Sequence, residues 1–416
     1  MALPRSGMTP EAIFAHLDEL KRDDVRWRLG RAFTLVYYGG EDVQAVAEEA
    51  YRRYSSENAL NTDAFPSLRT IQAEVVAIVG DWLEAGEGAA GFMTSGGTES
   101  ILLAVKAARE RGRSERGITT PNVVLPASAH AAFEKGCSYF GLESRRAPVG
   151  GDWRADVAAM EELIDANTVL LVGSAPQYPQ GVIDPIAAIA DLASSRDINC
   201  HVDACMGGVT LTYLARLGEQ IPPWNFAVPG VTSVSVDLHK YGYTAKGASV
   251  IMHRTKQLRS YQTYVTDNWL GGLYGSSGIL GTKGGGSMAA AWAVMHYLGD
   301  EGYLRLTAAA RAACLQFAAA IEAIPELTLR ARPEATLFAF GADDPSQLDV
   351  FAVADVLWRR GWYVDRQGPP PSLHCTVSNV HAGLIESFVD DLRASLDEVL
   401  RTSASSGRGA AYGTVE

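Results

Sequence analysis

Cysteine is scarce in this chain and follows no pattern. The five residues Cys137, Cys200, Cys205, Cys314 and Cys375 are odd in number and scattered through 416 positions. That argues against a disulfide framework and a zinc ribbon, and each reads as a small buried apolar residue. Positive charge is also in deficit: 36 Lys and Arg against 48 Asp and Glu give a net charge of −12. Such a surface repels a phosphate backbone, which sets nucleic acid aside as a partner but leaves room for a local basic pocket. No apolar run approaches the roughly 18 uninterrupted residues of a membrane span. No charged N-terminal segment leads into an apolar signal core either. The expectation is a cytoplasmic protein with no membrane span, and no internal repeat is visible.

What is present is a globular composition, 47% apolar and 20% charged, in a chain long enough for two packed domains. Residues 11 to 60 read as helices with a break at Tyr38-Gly39-Gly40. From Leu68 the set Leu68, Ile71, Val75, Ile78, Val79, Trp82, Leu83 follows helical spacing behind the start signal Pro66-Ser67. Short β-branched runs then alternate with helical segments: 123–125, 169–172, 198–202, 231–236 and 249–252. Runs of this kind are buried strands of a mostly parallel sheet with helices on both faces, an α/β fold. Ligands gather where such strands end, which directs attention to the polar residues that terminate them. After Gly299 a long alanine-rich helix (about 301 to 323), strand-like runs at 327–331, 336–340 and 373–377, and helices near 348–360 and 382–400 predict a small α+β domain. The division is an N-terminal helical segment (1–60), a large α/β domain (61–300), the small domain (301–401) and a frayed tail (402–416).

Gly86-Glu-Gly-Ala-Ala-Gly91 matches a dinucleotide fingerprint in the wrong context. It follows a helix and precedes a strand, so it reads as a loop. Thr94-Ser-Gly-Gly-Thr-Glu-Ser100 is better placed, because it leaves an apolar strand and runs straight into a helix. A Gly-rich turn there offers free N–H groups and a positive dipole end to a phosphate, or is an ordinary N-cap. Cys200-His-Val-Asp203-Ala-Cys-Met-Gly-Gly208 puts an aspartate at a strand end, and Ser235-Val-Asp-Leu-His239-Lys240-Tyr-Gly-Tyr243 puts a lysine beside an aspartate and a histidine at another. A lysine in such apolar surroundings is poor surface material. Lysines that form Schiff bases work when burial lowers their pKa.

Phosphate cup, acidic strand end and buried lysine, in that order, resemble a pyridoxal-phosphate enzyme of fold type I, the aspartate-aminotransferase fold. More narrowly they resemble the group II decarboxylase branch, and within it the sphingosine-1-phosphate lyases. The blocks that carry the likeness are 201–208, Asp237-Leu-His-Lys-Tyr-Gly-Tyr-Thr-Ala-Lys-Gly247, Gly173-Ser-Ala-Pro-Gln-Tyr-Pro-Gln-Gly-Val-Ile-Asp184 and Gly271-Gly-Leu-Tyr-Gly-Ser276. It covers about residues 35 to 310.

The resemblance implies pyridoxal 5'-phosphate as cofactor, with Lys240 as its Schiff-base lysine and Asp203 paired to the pyridine nitrogen. His130 would stack on the ring, and Gly97, Thr98 and His239 would hold the phosphate. Ser276 would reach the cofactor phosphate of a partner subunit, since these enzymes resemble homodimers with shared active sites. Tyr37, Tyr178 and Lys246 match positions that handle substrate: Lys246 suits a substrate phosphate and Tyr178 a proton at the substrate's hydroxyl. Both tyrosines also suit core packing. Asn61 stands where the lyases commonly carry a histidine that helps bind substrate phosphate; it can donate but brings no charge. No metal is implied. The activity the resemblance implies is retro-aldol cleavage of a phosphorylated sphingoid base, a small-molecule amine, to phosphoethanolamine and a long-chain aldehyde. The alternatives are amino-acid decarboxylation or cleavage of a different amine on the same cofactor, and a cofactor-binding regulator without activity.

Overall fold

A computed structural model describes residues 3–413. Seven strands form the large sheet: β1 (Ala90–Thr94), β2 (Asn122–Pro126), β3 (Glu143–Ala147), β4 (Thr168–Ser174), β5 (Asn199–Asp203), β6 (Ser233–Val236) and β7 (Ser249–His253). Their spatial order is β1-β7-β6-β5-β4-β2-β3. The five strands from β3 to β6 pair in parallel, and β7 runs antiparallel to both β6 and β1. The central strands are buried along their whole length, which is why they read as continuous apolar runs rather than alternating ones. Edge strand β3, Glu-Ser-Arg-Arg-Ala, escaped the sequence reading because charge masks it, as charge often does on an edge.

This order decides where the site lies. The carboxyl ends of β1, β2, β4, β5 and β6 all open on one side of the sheet, and the segments leaving them carry Gly97, His130, Tyr178, Cys205 and Lys240. The aligned strands thus deliver residues far apart in sequence to one rim.

A hairpin of β8 (Tyr264–Thr266) and β9 (Tyr274–Ser276) projects beyond the sheet with Trp269, Leu270 and Leu273 exposed. The second sheet holds β10 (Leu327–Leu329), β11 (Leu337–Ala342), β12 (Asp365–Gln367) and β13 (Ser372–Thr376), ordered β10-β11-β13-β12 and antiparallel throughout. Its core includes Phe317, Phe338, Trp362 and Phe388. Phe33 belongs to that core too: its N–H donates to the Tyr363 carbonyl at 3.0 Å, and its ring packs on Trp362, His381 and Phe388.

The segment 11–60 is therefore less helical than the sequence suggests. Helices Pro10–Leu20 and Glu41–Arg53 flank a 3-10 turn, Trp27–Leu29, and irregular backbone that crosses to the second sheet. The helical run Gly286–Glu322 is broken by non-helical backbone at Gly299 (φ 53°), so the alanine-rich helix begins after that glycine as expected and a further helix, from Gly286, leads into it. By length and composition the run could cross a membrane. Here Met288, Val294, Leu306 and Phe317 pack it into the protein's cores. The tail expected to fray instead folds back. Ser406 donates its N–H to Asp349 at 2.8 Å and its hydroxyl to Asp355 at 2.6 Å. Positions 414–416 lie outside the described residues.

Candidate active site

At the strand ends lies a cavity of about 520 Å³, open on one side. The lysine at its floor is set by a tight turn. Lys240 N–H donates to the Asp237 carbonyl at 3.2 Å and Tyr243 N–H to the Lys240 carbonyl at 2.9 Å. Tyr243 completes the turn in the left-handed region at φ 56°, a conformation that costs a bulky residue about 1 kcal/mol or more.

Lys240 Nζ sits 3.0 Å from Asp237 Oδ2, with the lysine side chain 19% exposed, into the cavity, and the aspartate 3%. Asp237 Oδ1 accepts from Ser249, and its other oxygen lies 3.8 Å from His239 Nε2. The sequence reading expected burial to lower the lysine. Burial is indeed the largest single influence and pulls that way, but the Asp237 carboxylate, joined by Cys205, Tyr37 and Tyr412, together outweighs it and holds Lys240 well above its ordinary value. Burial alone would push Asp237 up; Lys240 and then His239 bring it below the usual carboxylate range. The pair is an ammonium and a carboxylate.

Asp203 ends β5, buried, its Oδ1 accepting from Cys205 N–H at 3.1 Å and from the Ser235 hydroxyl at 3.4 Å. His130, in the loop after β2, accepts from Ala132 N–H at Nδ1 (3.1 Å), which fixes its ring plane. Burial lowers its pKa, keeping the ring neutral near pH 7. The helix Gly97–Arg116 starts at the cavity wall. A Cβ on Gly97 would fall 2.8 Å from both Asp237 Oδ2 and Cys205 Sγ, so only glycine leaves this cup open. Thr98 and His239 complete it. An orientable lysine, a buried carboxylate at a strand end, a planar imidazole and a side-chain-free helix N-terminus in one cavity fit a phosphorylated pyridine aldehyde.

Tyr178 reaches the wall through the turn after β4. Gln180 N–H donates to Gln177 Oε1 at 2.7 Å, and Gly181 takes φ 79° where a Cβ would run into the Leu337 carbonyl. Buried Asp184 anchors the segment, accepting from Ser174 N–H at 2.8 Å and Ala155 N–H at 2.9 Å. Tyr178 stacks on His374, centroids 4.0 Å apart. At the mouth, Lys246 Nζ lies 5.1 Å from the centre of the Tyr37 ring and donates to the His239 carbonyl at 3.2 Å. Lys246 is exposed as a residue, yet its ammonium is enclosed by cavity atoms. That enclosure, and then the charge of Lys240, lower it to about 8. Tyr37 is buried with its hydroxyl on Met206 Sδ at 3.6 Å.

Lys240, Asp203, His130, Gly97, Thr98, His239, Tyr178 and Lys246 thus line one cavity. Three residues expected at the site do not line it: Asn61, Ser276 and Tyr37, which is buried with its hydroxyl on Met206. Asn61 is exposed, its side-chain oxygen capping Asp63 N–H at 2.9 Å within its own turn. Ser276 ends β9 with its hydroxyl on the Gly278 carbonyl at 3.1 Å, while Ile279 and Leu280 beyond it do reach the cavity. Tyr412 was missed. The returning tail lays it over the mouth, edge-on to His130 (5.1 Å) and Tyr178 (5.5 Å). Nothing in a Ser-Gly-Ala-rich tail signals this.

The chain matches the pyridoxal-dependent decarboxylase conserved domain over residues 24–342. It is 40% identical to sphingosine-1-phosphate lyase of Oryza sativa subsp. japonica over 99% of this chain and 77% of that protein. It is 36% identical to sphingosine-1-phosphate lyase 1 of Rattus norvegicus over 100% and 73%. Among solved structures, a sphingosine-1-phosphate lyase of Burkholderia pseudomallei superposes with TM-score 0.91 at 38% identity, covering 97% of this chain and 94% of that one. A glutamate decarboxylase of Lactobacillus brevis shares the fold, with TM-score 0.84 at 19% identity over 96% and 95%.

Proposed function

The chain belongs to the pyridoxal-dependent decarboxylase family, among the sphingosine-1-phosphate lyases, and from that premise we propose that it cleaves the Cα–Cβ bond of a phosphorylated sphingoid base. The products are phosphoethanolamine and a long-chain aldehyde. Bound pyridoxal phosphate supplies an electron sink for the pair released at Cα.

The protein's own residues supply position and proton control. Lys240 provides the amine that binds the cofactor. Asp203 keeps a proton at the ring nitrogen, His130 covers one ring face, and the helix start at Gly97 and Thr98, with His239, holds the phosphate. The bond that breaks is the one held perpendicular to the ring, so groups gripping the substrate's far end select the reaction. Lys246, its ammonium packed over the Tyr37 ring, holds the substrate phosphate, and Tyr178 handles the proton of the β-hydroxyl.

One observation carries the reading: a second ammonium, Lys246, at the mouth of the cavity whose floor holds Lys240. A site for a plain amine has no use for it; a site for a phosphorylated amine does. The exposed apolar hairpin around Trp269, Leu270 and Leu273, continuous with Ile279 and Leu280 at the cavity edge, supports a homodimer in which Ser276 serves the partner's site. The test is to offer a sphingoid-base phosphate and the same base without phosphate. The phosphorylated form should be cleaved with a KM at least about tenfold lower, and equal use of both would overturn the reading.

A further inference from the structure

Behind Tyr178, on the side away from the cavity, stands a carboxylate that no motif announces. Asp365 begins β12 of the second sheet and is buried. Its Oδ2 accepts the Tyr178 hydroxyl proton at 3.0 Å, and its Oδ1 accepts from the Tyr363 hydroxyl at 3.3 Å. Thr34 Oγ1 lies 3.0 Å from the same Tyr178 oxygen.

A phenol has one proton. Here it is committed to Asp365, so the contact with Thr34 must be donated by Thr34. Toward the cavity the Tyr178 oxygen can then only accept. That is the polarity required to take the proton of a substrate hydroxyl, and Asp365 imposes it. From this geometry we propose that Asp365 is the positioning residue of a two-step proton relay, receiving Tyr178's proton as Tyr178 receives the substrate's. The proposal rests on the lyase reading above.

The relay balances. The substrate O–H bond breaks and a Tyr178 O–H bond forms, while Tyr178's original O–H breaks and an Asp365 O–H forms. The electron pair left on the substrate oxygen becomes the aldehyde π bond, and the Cα–Cβ pair stays at Cα. A proton taken up at Cα completes the amine product, and Asp365 returns its proton through Tyr178 to solvent.

The groups facing Asp365 suit an acceptor. Tyr178, Tyr363 and Tyr412 are phenols, and His374, its register partner on β13, is held neutral by burial at about 3. Arg366, the nearby cation, is engaged with Asp355 at 2.6 Å. Among the described residues no cation forms an ion pair with Asp365. Burial raises its pKa above the ordinary carboxylate value, more than its two phenol hydrogen bonds and Arg366 lower it, so it holds a transferred proton more readily than a surface aspartate would.

The experiment compares wild type, Asp365→Asn, Asp365→Glu, Tyr178→Phe and the Asp365→Asn/Tyr178→Phe double variant, all loaded with cofactor, on a sphingoid-base phosphate from pH 5 to 9. Asp365→Asn should lower kcat about 100-fold with KM within about threefold, and abolish the acidic limb of the profile, on which activity falls as Asp365 takes up a proton. Asp365→Glu should recover part of the loss. The double variant should be no slower than Tyr178→Phe, because Asp365 acts only through that phenol. An Asn variant within about twofold of wild type, or losses that multiply in the double variant, would overturn the relay. A second readout is the 13Cζ signal of Tyr178 in 13C-tyrosine-labelled enzyme, assigned by its absence in Tyr178→Phe. Asp365→Asn should move it. If wild type releases no aldehyde, the substrate reading fails and this signal decides the Asp365 contact alone: unmoved, it overturns the proposal. Should Asp365→Asn not fold, an acidic limb that survives in Tyr178→Phe does so instead.

Discussion

Asp237 holds the Lys240 ammonium at 3.0 Å inside the cavity, beside the glycine that opens the phosphate cup. The lysine that must act as a nucleophile is therefore kept as a cation by its neighbour three residues back. The pair is nearly desolvated, so removing the charge of one partner leaves the other uncompensated and shifts its proton affinity strongly.

Cofactor loading should report this pairing. Lys240 binds an aldehyde only after losing its proton, so loading should accelerate as pH rises from 7 to 9. Asp237→Asn removes the carboxylate and should raise the loading rate at pH 7 by roughly tenfold, the effect of about one pKa unit, while the rise with pH persists because the lysine stays largely protonated in both proteins. Stopped-flow absorbance of the cofactor measures both. An unchanged loading rate at pH 7 would mean that Asp237 does not govern the lysine.

Lys246 gives a second pH dependence, on the basic side. Its value of about 8 means that the cation is present below pH 8 and lost above it. KM for a phosphorylated substrate should accordingly rise between pH 7 and 9. Lys246→Met should show a KM at least about tenfold higher at pH 7 and no rise in that interval. Steady-state kinetics at constant ionic strength provides the check. A methionine variant that keeps the basic rise would place its origin elsewhere.

Stability should fall on the acid side through buried histidines. His201, His253 and His381 are lowered to about 4 and His374 to about 3, in each case first by burial. The unfolded chain takes up protons at these rings near pH 6.5, whereas the folded chain does not until much lower pH. Stability is thus full above pH 6.5 and drains away down to about pH 4, at about 1.4 kcal/mol per pH unit for each ring across that window. Thermal unfolding from pH 7 to 4 should show a steep drop in Tm. His253→Gln, which keeps a polar group beside Gln262, should make the drop shallower; an identical slope would remove that histidine from the account.

How much of this could be read beforehand follows from physics rather than luck. Asp203 and Lys240 stand where apolar β-branched runs stop and Gly97 where the apolar strand Ala90–Thr94 gives way to a helix, and parallel strands bring such stops to one rim, so a linear pattern encodes their neighbourhood. The sign of the Lys240 shift was not legible. Burial and a contacting carboxylate oppose each other, and the outcome depends on the 3.0 Å distance and on Cys205, Tyr37 and Tyr412, which the fold gathers round the ammonium. Asp365 was out of reach because its partner lies 187 positions away and its strand spans three residues without periodicity. Edge strand β3 hid behind its charges. Asn61 and Ser276 were matched by motif, and motif position carries no statement about which way a loop faces.

The central claim, a phosphorylated sphingoid base cleaved between Cα and Cβ, has one direct measurement. Purified protein loaded with pyridoxal phosphate is incubated with a sphingoid-base phosphate, and the products are identified by mass spectrometry. The account predicts phosphoethanolamine and the long-chain aldehyde in equal amounts, with neither formed by Lys240→Ala. Carbon dioxide from an amino acid, with the sphingoid phosphate left intact by an enzyme that holds its cofactor, would contradict it.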